Sequence, residues 1–534
     1  MNKRDRFIKN IINVMLANMI SLLGGIAGGF LLPKLFSLED YGFFKIFSLY
    51  LTYTGILHMG FPDGFLLKNS GVSYVNLEKA NMRTISHFFI VFQLIVSFII
   101  IVGSFFAEGE YGYIFFSLGL CTFSINIITF FQFVSQASMR FNEFSRVKIA
   151  TSLMNFGIVV GLCIVQAASG RIVGYRLYLM LYTFANWCIL LYYFWNYREC
   201  LWGKKSSLAS VKGQIWEYFK SGIFLTISYQ VLQLVLNLDR QFVVVLFSAP
   251  EYAVYSFAYS LISMITTVVS AVSLVLFPTL KRTKREIAIT FLPMGIWGVE
   301  SLVMLCLGSY FPLAGVIETF LPKYMQSLSY LQILFPGLIF SSCITIIIFT
   351  YYKILDFNLP FFLMGIGALI LSFLLNLLAW KMYGTPEAIS FASILTLLVW
   401  YIITVSYLKK KLDITYKKNL IFMLCVSICF YIVVFNTKVL VKGFLVYEAA
   451  FILITIVFAL GSYFYTKTFI SPTYMSTASL YVTNGVKAAS DDTADLNDLN
   501  ASEKLVASYI VVLQSDSVAQ QISEKTQLGY SAEA

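Results

Sequence analysis

Fourteen times the chain runs through about twenty mostly apolar residues and then breaks at a short polar segment. The runs lie near 11–33, 43–66, 84–105, 113–135, 149–168, 175–195, 221–246, 253–278, 288–308, 328–350, 360–380, 387–407, 419–436 and 443–465. A helix of that length crosses the hydrocarbon of a bilayer, and only helices and closed barrels can do so with every backbone polar group satisfied. The runs are twice the length of a barrel strand and do not alternate, so the expected class is an all-α polytopic membrane protein. Composition agrees: 59% of residues are hydrophobic and 12% charged, an apolar share beyond that of ordinary soluble domains.

Lys3, Arg4, Arg6 and Lys9 precede the first run. That run is too long for a signal sequence and has no small-residue cleavage site, so it is read as a retained first helix. With the N-terminus in the cytoplasm, the inner segments hold twenty-five Lys and Arg, against seven outside when Arg176 at the edge of its span is included. The positive-inside rule therefore fixes that orientation and expects a multi-pass protein of the cytoplasmic membrane.

The phrase Leu35-Phe36-Ser37-Leu38-Glu39-Asp40-Tyr41-Gly42 returns as Leu246-Phe247-Ser248-Ala249-Pro250-Glu251-Tyr252-Ala253, an offset of 211 residues. Both copies are outer turns between spans. The expected organisation is an N-lobe of six helices (1–200), a C-lobe of six (201–410), two further helices (411–466) and a soluble tail (467–534). An even number of spans separates the copies, so the lobes share an orientation. Their axis then runs along the membrane normal, one of the repeat arrangements of transporters.

Polar residues fall on single helix faces. Lys45, Ser48 and Thr52 follow one face of the second span. Asn126, Thr129, Gln132, Gln136 and Arg140 do so in the fourth, and Gln230, Gln233, Asn237 and Arg240, with Asp239 beside them, in the seventh. Ser256, Ser260, Ser263, Thr267 and Ser270 line the eighth, and the offset lays Lys45 on Ser256 and Thr52 on Ser263. Such stripes commonly serve as interhelical hydrogen bonds, whereas intramembrane charges are costly and mark functional positions. Four seams, three of them carrying a cation, point to a shared polar cavity with Lys45, Arg140 and Arg240 as its anion contacts. Glu300, in the ninth span, and Asp239 are the candidates for ion coupling. Gly24, Gly25, Gly28 and Gly29 form two overlapping GxxxG pairs, the signature of close helix packing.

Several chemistries are excluded. The chain has no GxxxxGK[ST], HExxH or GxSxG motif, so neither a nucleotide-driven pump nor a metallo- or serine hydrolase is expected. Two His and eight scattered Cys offer no metal set, and no cofactor is expected. No basic soluble face suits a nucleic acid. The outer loops are too short for a catalytic domain, which argues against a polymerase or glycosyltransferase.

The stretch Leu32-Pro33-Lys34-Leu35-Phe36-Ser37, then Glu39-Asp40-Tyr41-Gly42-Phe43-Phe44, then Gly60-Phe61, resembles the opening of polysaccharide flippases, the O-antigen and teichoic-acid exporters related to multidrug and toxin extrusion proteins. Asn237-Leu238-Asp239-Arg240 followed by Glu251-Tyr252-Ala253-Val254-Tyr255-Ser256 is similar to the family's seventh and eighth helices. The resemblance spans about residues 5–440, rests on order and spacing, and departs at Ala253 and at Pro386-Glu387. It implies two lobes around a central cavity, alternating access, and a polyprenyl pyrophosphate-linked oligosaccharide as substrate for capsule, O-antigen or another surface polysaccharide. Membrane lipids, a polymerase and chain-length machinery are the partners it implies.

Beyond about 470 the character changes. Residues 473–482 alternate like a strand and 500–513 read as an amphipathic helix. From about 455 the chain is similar to the start of chain-length determinant (co-polymerase) proteins, and it stops before such a domain is complete, as a truncated fusion does. Fourteen spans from an inner N-terminus put this tail in the cytoplasm, whereas the similarity implies the outer side. Protease access to the C-terminus of intact spheroplasts separates the two, and protection is the expected result.

Overall fold

The computed structural model describes residues 19, 21, 24, 25, 28–282, 285–412, 417–437 and 439–469. The basic N-terminal residues, most of the first span, and the strand and helix expected in the tail lie outside these. Among the described residues all regular structure is helical. Residues 28–35 end a first helix, α1. The others are α2 (Leu38–Tyr53), α3 (Phe61–Asn69), α4 (Lys79–Ser104), α5 (Glu110–Ala137), α6 (Phe141–Ser169) and α7 (Tyr175–Asn196). Then come α8 (Leu208–Leu246), α9 (Ala249–Arg282), α10 (Arg285–Leu307), α11 (Tyr310–Phe320), α12 (Ser327–Leu334), α13 (Gly337–Ser342) and α14 (Phe349–Ile354). The last four are α15 (Asn358–Tyr383), α16 (Pro386–Leu412), α17 (Lys417–Asn436) and α18 (Leu440–Phe469).

Ten described helical segments are long and apolar enough to cross a membrane, so the protein is a multi-pass membrane protein. Each matches an expected span. Of the remaining four expected spans, 11–33 is mostly undescribed, 253–278 lies within α9, 419–436 is the shorter α17, and 43–66 is not one helix. The chain forms two compact units, Met1–Thr455 and Ile456–Ala534. Only the last turns of α18 are described in the second unit.

Two spans expected to be continuous are interrupted. Run 43–66 passes from α2 through a 3-10 turn (Thr54–His58) to α3. Met59 (φ 49°) and Gly60 (φ 77°) are left-handed there, and Pro62 opens α3 without needing a helical donor. His58 Nδ1 accepts the Gly60 N–H at 3.2 Å, satisfying a backbone group freed by the break. Run 328–350 breaks at Pro336 and contains a π-helical turn, Cys343–Ile348, between α13 and α14.

The repeat is visible in the helix starts. α2 begins at 38 and α9 at 249; α7 begins at 175 and α16 at 386; both pairs differ by 211. The repeated phrase is a helix N-cap. Ser37 Oγ accepts the Asp40 N–H at 3.0 Å and donates to Asp40 Oδ2 at 2.7 Å. In the second copy Glu251 Oε2 accepts the Ser248 N–H at 2.9 Å and its hydroxyl at 2.6 Å. These are the two halves of a capping box. Ser37→Ala is expected to cost about 1 kcal/mol, read as a modest fall in melting temperature in detergent.

The copies also meet. A Cβ on Gly42 would lie 2.7 Å from the carbonyl carbon of Ala249, so α2 crosses α9 in backbone contact at their N-termini. The opposite end, where most Lys and Arg loops lie, holds an aromatic core of Phe61, Phe65, Phe89, Phe130, Phe131, Tyr193, Tyr197 and Tyr218. There α3 zips onto α8. Lys68 pairs with Glu217, Asn69 Nδ2 donates to the Tyr218 hydroxyl at 3.1 Å, and Thr226 Oγ1 donates to Asp63 Oδ2 at 2.7 Å. Gly64 abuts the Tyr218 carbonyl, and Gly222 lies against Gly60 and Gly64. The first half of the chain is thus joined to the second at both ends of the bundle, by α2–α9 at the turn end and α3–α8 at the basic end.

Candidate functional site

Between these contacts, α2, α8 and α9 bring together two cations. Lys45 lies two turns into α2, and its Nζ donates to Ser260 Oγ on α9 at 2.7 Å. It sits 5.3 Å from the ring centre of Tyr41 and 5.5 Å from that of Phe44. The Lys45 backbone carbonyl accepts from the Tyr252 hydroxyl at 3.5 Å. Tyr41 and Tyr252, equivalent under the 211 offset, each reach across to the other helix; the Tyr41 hydroxyl is 3.4 Å from Ser260 Oγ.

Arg240 comes from α8 and lies within electrostatic reach of Lys45. Its guanidinium stacks 4.6 Å from the ring centre of Tyr259. Its neighbour Asp239 does not neutralise it by contact. The Asp239 carboxylate accepts from the Tyr255 hydroxyl at 2.8 Å, from the Tyr259 hydroxyl, and from the Arg240 backbone N–H at 2.7 Å. Among the described residues neither Lys45 nor Arg240 has a carboxylate within 4.0 Å. Arg240 Nε is buried without a hydrogen-bond partner, as are the Tyr53 hydroxyl, Ser256 Oγ and Asn237 Oδ1 nearby in sequence on the same three helices. Unpaired buried donors in a weakly screening medium are costly unless a ligand meets them. Two such cations on facing helices can hold a divalent oxyanion, with Arg supplying a planar fork and Lys a point charge.

The other expected site residues divide. Ser48 and Thr52 bond their own helix, to the carbonyls of Phe44 at 2.9 Å and Leu49 at 2.6 Å. Gln230 is buried with its amide against Gly55, and Gln233 lends its carbonyl to Asn237 Nδ2 at 2.7 Å. Asn126, on the fourth-span seam, donates to Gln93 Oε1 at 2.8 Å and to the Thr54 carbonyl at 3.3 Å, which ties the α2 break to α4 and α5. Arg140 is not brought to Lys45 and Arg240. It lies beyond the basic end of α5, a 28-residue helix that spans about 42 Å. There it pairs with Glu143 at 2.7 Å and stacks on Tyr74 and Tyr197 at 4.6 and 5.1 Å.

Glu300, on α10, is fully buried; its Oε1 accepts from the Tyr401 hydroxyl at 2.8 Å and its Oε2 has no partner. Of the glycine pairs, Gly29 lies against Met264 of α9, while a Cβ on Gly25 would meet nothing within 4 Å. Two acids near the helix N-termini at the turn end have structural partners: Asp40 Oδ1 accepts the Tyr175 N–H at 3.1 Å, and Glu110 pairs with Arg176 at 2.7 Å.

The tyrosines are what sequence reasoning overlooked. Tyr252, Tyr255 and Tyr259 follow one α9 face at spacings of three and four; Tyr255 and Tyr259 hold Asp239, Tyr259 stacks with Arg240, and Tyr252 reaches the Lys45 carbonyl. In so aromatic a chain, that spacing alone did not distinguish them from packing residues. Asp239→Asn is expected to lower activity and thermal stability, because whichever way the amide is turned its NH₂ faces a donor, either the two tyrosine hydroxyls or the Arg240 backbone N–H. Tyr255→Phe is expected to restore part of the stability, measured by melting in detergent.

Comparison with solved structures gives the fold. The chain aligns with the lipid II flippase MurJ in its inward closed conformation at a TM-score of 0.62 and 16% identity, over 86% of this chain and 99% of that one. An inward-facing multidrug resistance MATE transporter of the MOP superfamily aligns at 0.53 and 12% identity, over 75% and 95% of the two chains. A Vibrio cholerae MATE transporter aligns at 0.51 and 12%, over 77% and 97%. The Wzz family, chain length determinant protein, matches residues 438–526. That match starts upstream of the expected 455 and takes in all of α18. No curated protein matches the chain.

Proposed function

We propose that this protein is a transporter, not an enzyme, that moves a lipid pyrophosphate-linked oligosaccharide across the bacterial cytoplasmic membrane by alternating access. The observation that carries the reading is the pair Lys45 on α2 and Arg240 on α8, within electrostatic reach of each other and, among the described residues, without a carboxylate within 4.0 Å. The fold shared with MurJ and MATE transporters supports a cavity between two lobes that can open to either side. A pyrophosphate bridges two cations on different lobes and so couples head-group binding to the lobes' approach. Taking the lobes as 1–200 and 201–410, Lys45 belongs to the first and Arg240 to the second. Arg140 holds the basic end, where its pair with Glu143 and its aromatic stack close the first lobe. With the N-terminus inside, the membrane potential favours outward movement of the anion, about 2.3 kcal/mol per charge at 100 mV.

The match at 438–526 supports a second element of the reading: the product joins surface polysaccharide synthesis beside chain-length machinery, as for capsule or O-antigen. The test is a deletion strain. Lipid-linked repeat units are expected to accumulate on the inner leaflet. Accumulation on the outer leaflet would instead identify a polymerase and overturn the reading.

A further inference from the structure

We propose that a groove in the first half of the bundle, between α2, α4 and α5, receives the isoprenoid chain of the lipid-linked substrate. This rests on the pyrophosphate reading above and assigns the other half of the same molecule. The groove encloses about 510 Å³ and is lined by Tyr50, Tyr53, Ile56, Gly103, Phe106 and Phe115, among others. That volume is in the range of ligand sites rather than packing defects. Its mouth is apolar and open: Phe106 is 84% exposed, and a Cβ on Gly103 would meet nothing within 4 Å. The groove lies at the turn end of the α4–α5 hairpin, against the last turns of α4 and the first turns of α5, beside the point where α2 stops at Tyr53 and the chain turns through Thr54–His58.

The inner wall leads to the cation pair. The Tyr50 hydroxyl accepts from Gln241 Nε2 at 3.0 Å, next to Arg240. The Tyr53 hydroxyl is buried without a partner and lies within electrostatic reach of both Arg240 and Asp239. One side of the groove therefore lies within electrostatic reach of Arg240 and is hydrogen-bonded to its neighbour Gln241, while the other opens at the exposed Phe106. An amphiphile with its anionic head on Lys45 and Arg240 has its first chain segment at Tyr53. Four aromatic rings in the wall offer π faces to the alkenes of an isoprenoid, contacts that a saturated acyl chain lacks.

The experiment uses the full-length purified chain in nanodiscs and two probes: inorganic pyrophosphate for the head alone, and undecaprenyl pyrophosphate for head and chain. The wild type should bind both. Gly103→Trp, and Ile56→Trp on the facing wall, should leave the pyrophosphate Kd unchanged and weaken undecaprenyl pyrophosphate about tenfold. Either variant that keeps the wild-type melting temperature suffices. In parallel, a diazirine-bearing undecaprenyl pyrophosphate should label residues 50–57 or 100–107 of the wild type; this reading stands even if both variants misfold. The proposal is overturned if a stable variant keeps wild-type affinity for the long probe, if labelling falls only elsewhere, or if phosphatidylglycerol competes as well as undecaprenyl phosphate. Binding of neither probe by the wild type overturns the pyrophosphate reading itself. Pyrophosphate binding with an insensitive chain term overturns the groove alone.

Discussion

Replacing Lys45 or Arg240 with alanine is expected to reduce polysaccharide export roughly 10- to 100-fold, each removing a charge-assisted contact of about 1.5–3 kcal/mol. Protein level in the membrane should stay normal. Neither side chain anchors the fold: Lys45 makes one side-chain hydrogen bond, to Ser260, and Arg240 Nε makes none. Lys45→Arg should keep more activity than Arg240→Lys, because a point charge can be replaced by a fork but a bidentate fork cannot be replaced by a point charge. Arg140→Ala should behave differently. It frees Glu143 beside the Tyr74 and Tyr197 rings, so it should lower melting temperature and membrane level together. Quantifying lipid-linked intermediate alongside an immunoblot separates the two classes. Wild-type export in both Lys45→Ala and Arg240→Ala would sink the site.

The second large effect is expected at the α3–α8 contact. A Cβ on Gly64 would stand 2.6 Å from the Tyr218 carbonyl carbon, and one on Gly222 would stand 2.8 Å from the Gly60 carbonyl carbon. Backbone cannot yield as a long side chain can, so Gly64→Ala or Gly222→Ala must push the two helices apart. The zipper would then fail as a unit, since Asn69–Tyr218 and Asp63–Thr226 depend on the same spacing. The expected outcome is a chain that inserts normally but no longer closes at its basic end. Export should be lost, and a cysteine pair at Lys68 and Glu217 that crosslinks in an otherwise wild-type chain should stop crosslinking. Lys68→Ala alone should change little, because that ion pair is about half exposed and such pairs contribute about 0–1 kcal/mol. Unchanged crosslinking in Gly64→Ala would show that the contact has slack the backbone geometry does not suggest.

The two glycines were beyond the reach of sequence reasoning. Gly60-Phe61-Pro62-Asp63-Gly64 reads as a turn or hinge, and it is one: Gly60 is left-handed and Pro62 starts α3. What it abuts is decided by Gly222, some 160 residues away at the start of the seventh apolar run. The glycine pairs of the first span were conspicuous, yet Gly25 faces open space.

The candidate site was half legible. Lys45, Asp239 and Arg240 stand out because charge inside a span is expensive, and this holds before any contact is known. The seams around them overstated the case: Ser48 and Thr52 satisfy themselves on their own helix, and Asn126 holds the α2 break in place. A hydroxyl's spacing gives its face but not its bond, because the carbonyl one turn back is always within reach.

Sequence by itself determined the class of the protein, the positions of its apolar spans, the 211-residue repeat and the intramembrane charges. These are local properties, set by the length of an apolar run, the cap at its end and the energy of burying an ion. Tertiary structure decided that Lys45 and Arg240 come within electrostatic reach of each other while Arg140 stays at the far end of α5, that Asp239 belongs to Tyr255 and Tyr259, and that an interrupted α2 borders a groove. The reason is that interhelical packing in a bilayer lacks the hydrophobic drive that makes a buried face readable in soluble proteins. Partners are chosen by close backbone approach, as at Gly42 and Gly222, and that complementarity belongs to two helices at once.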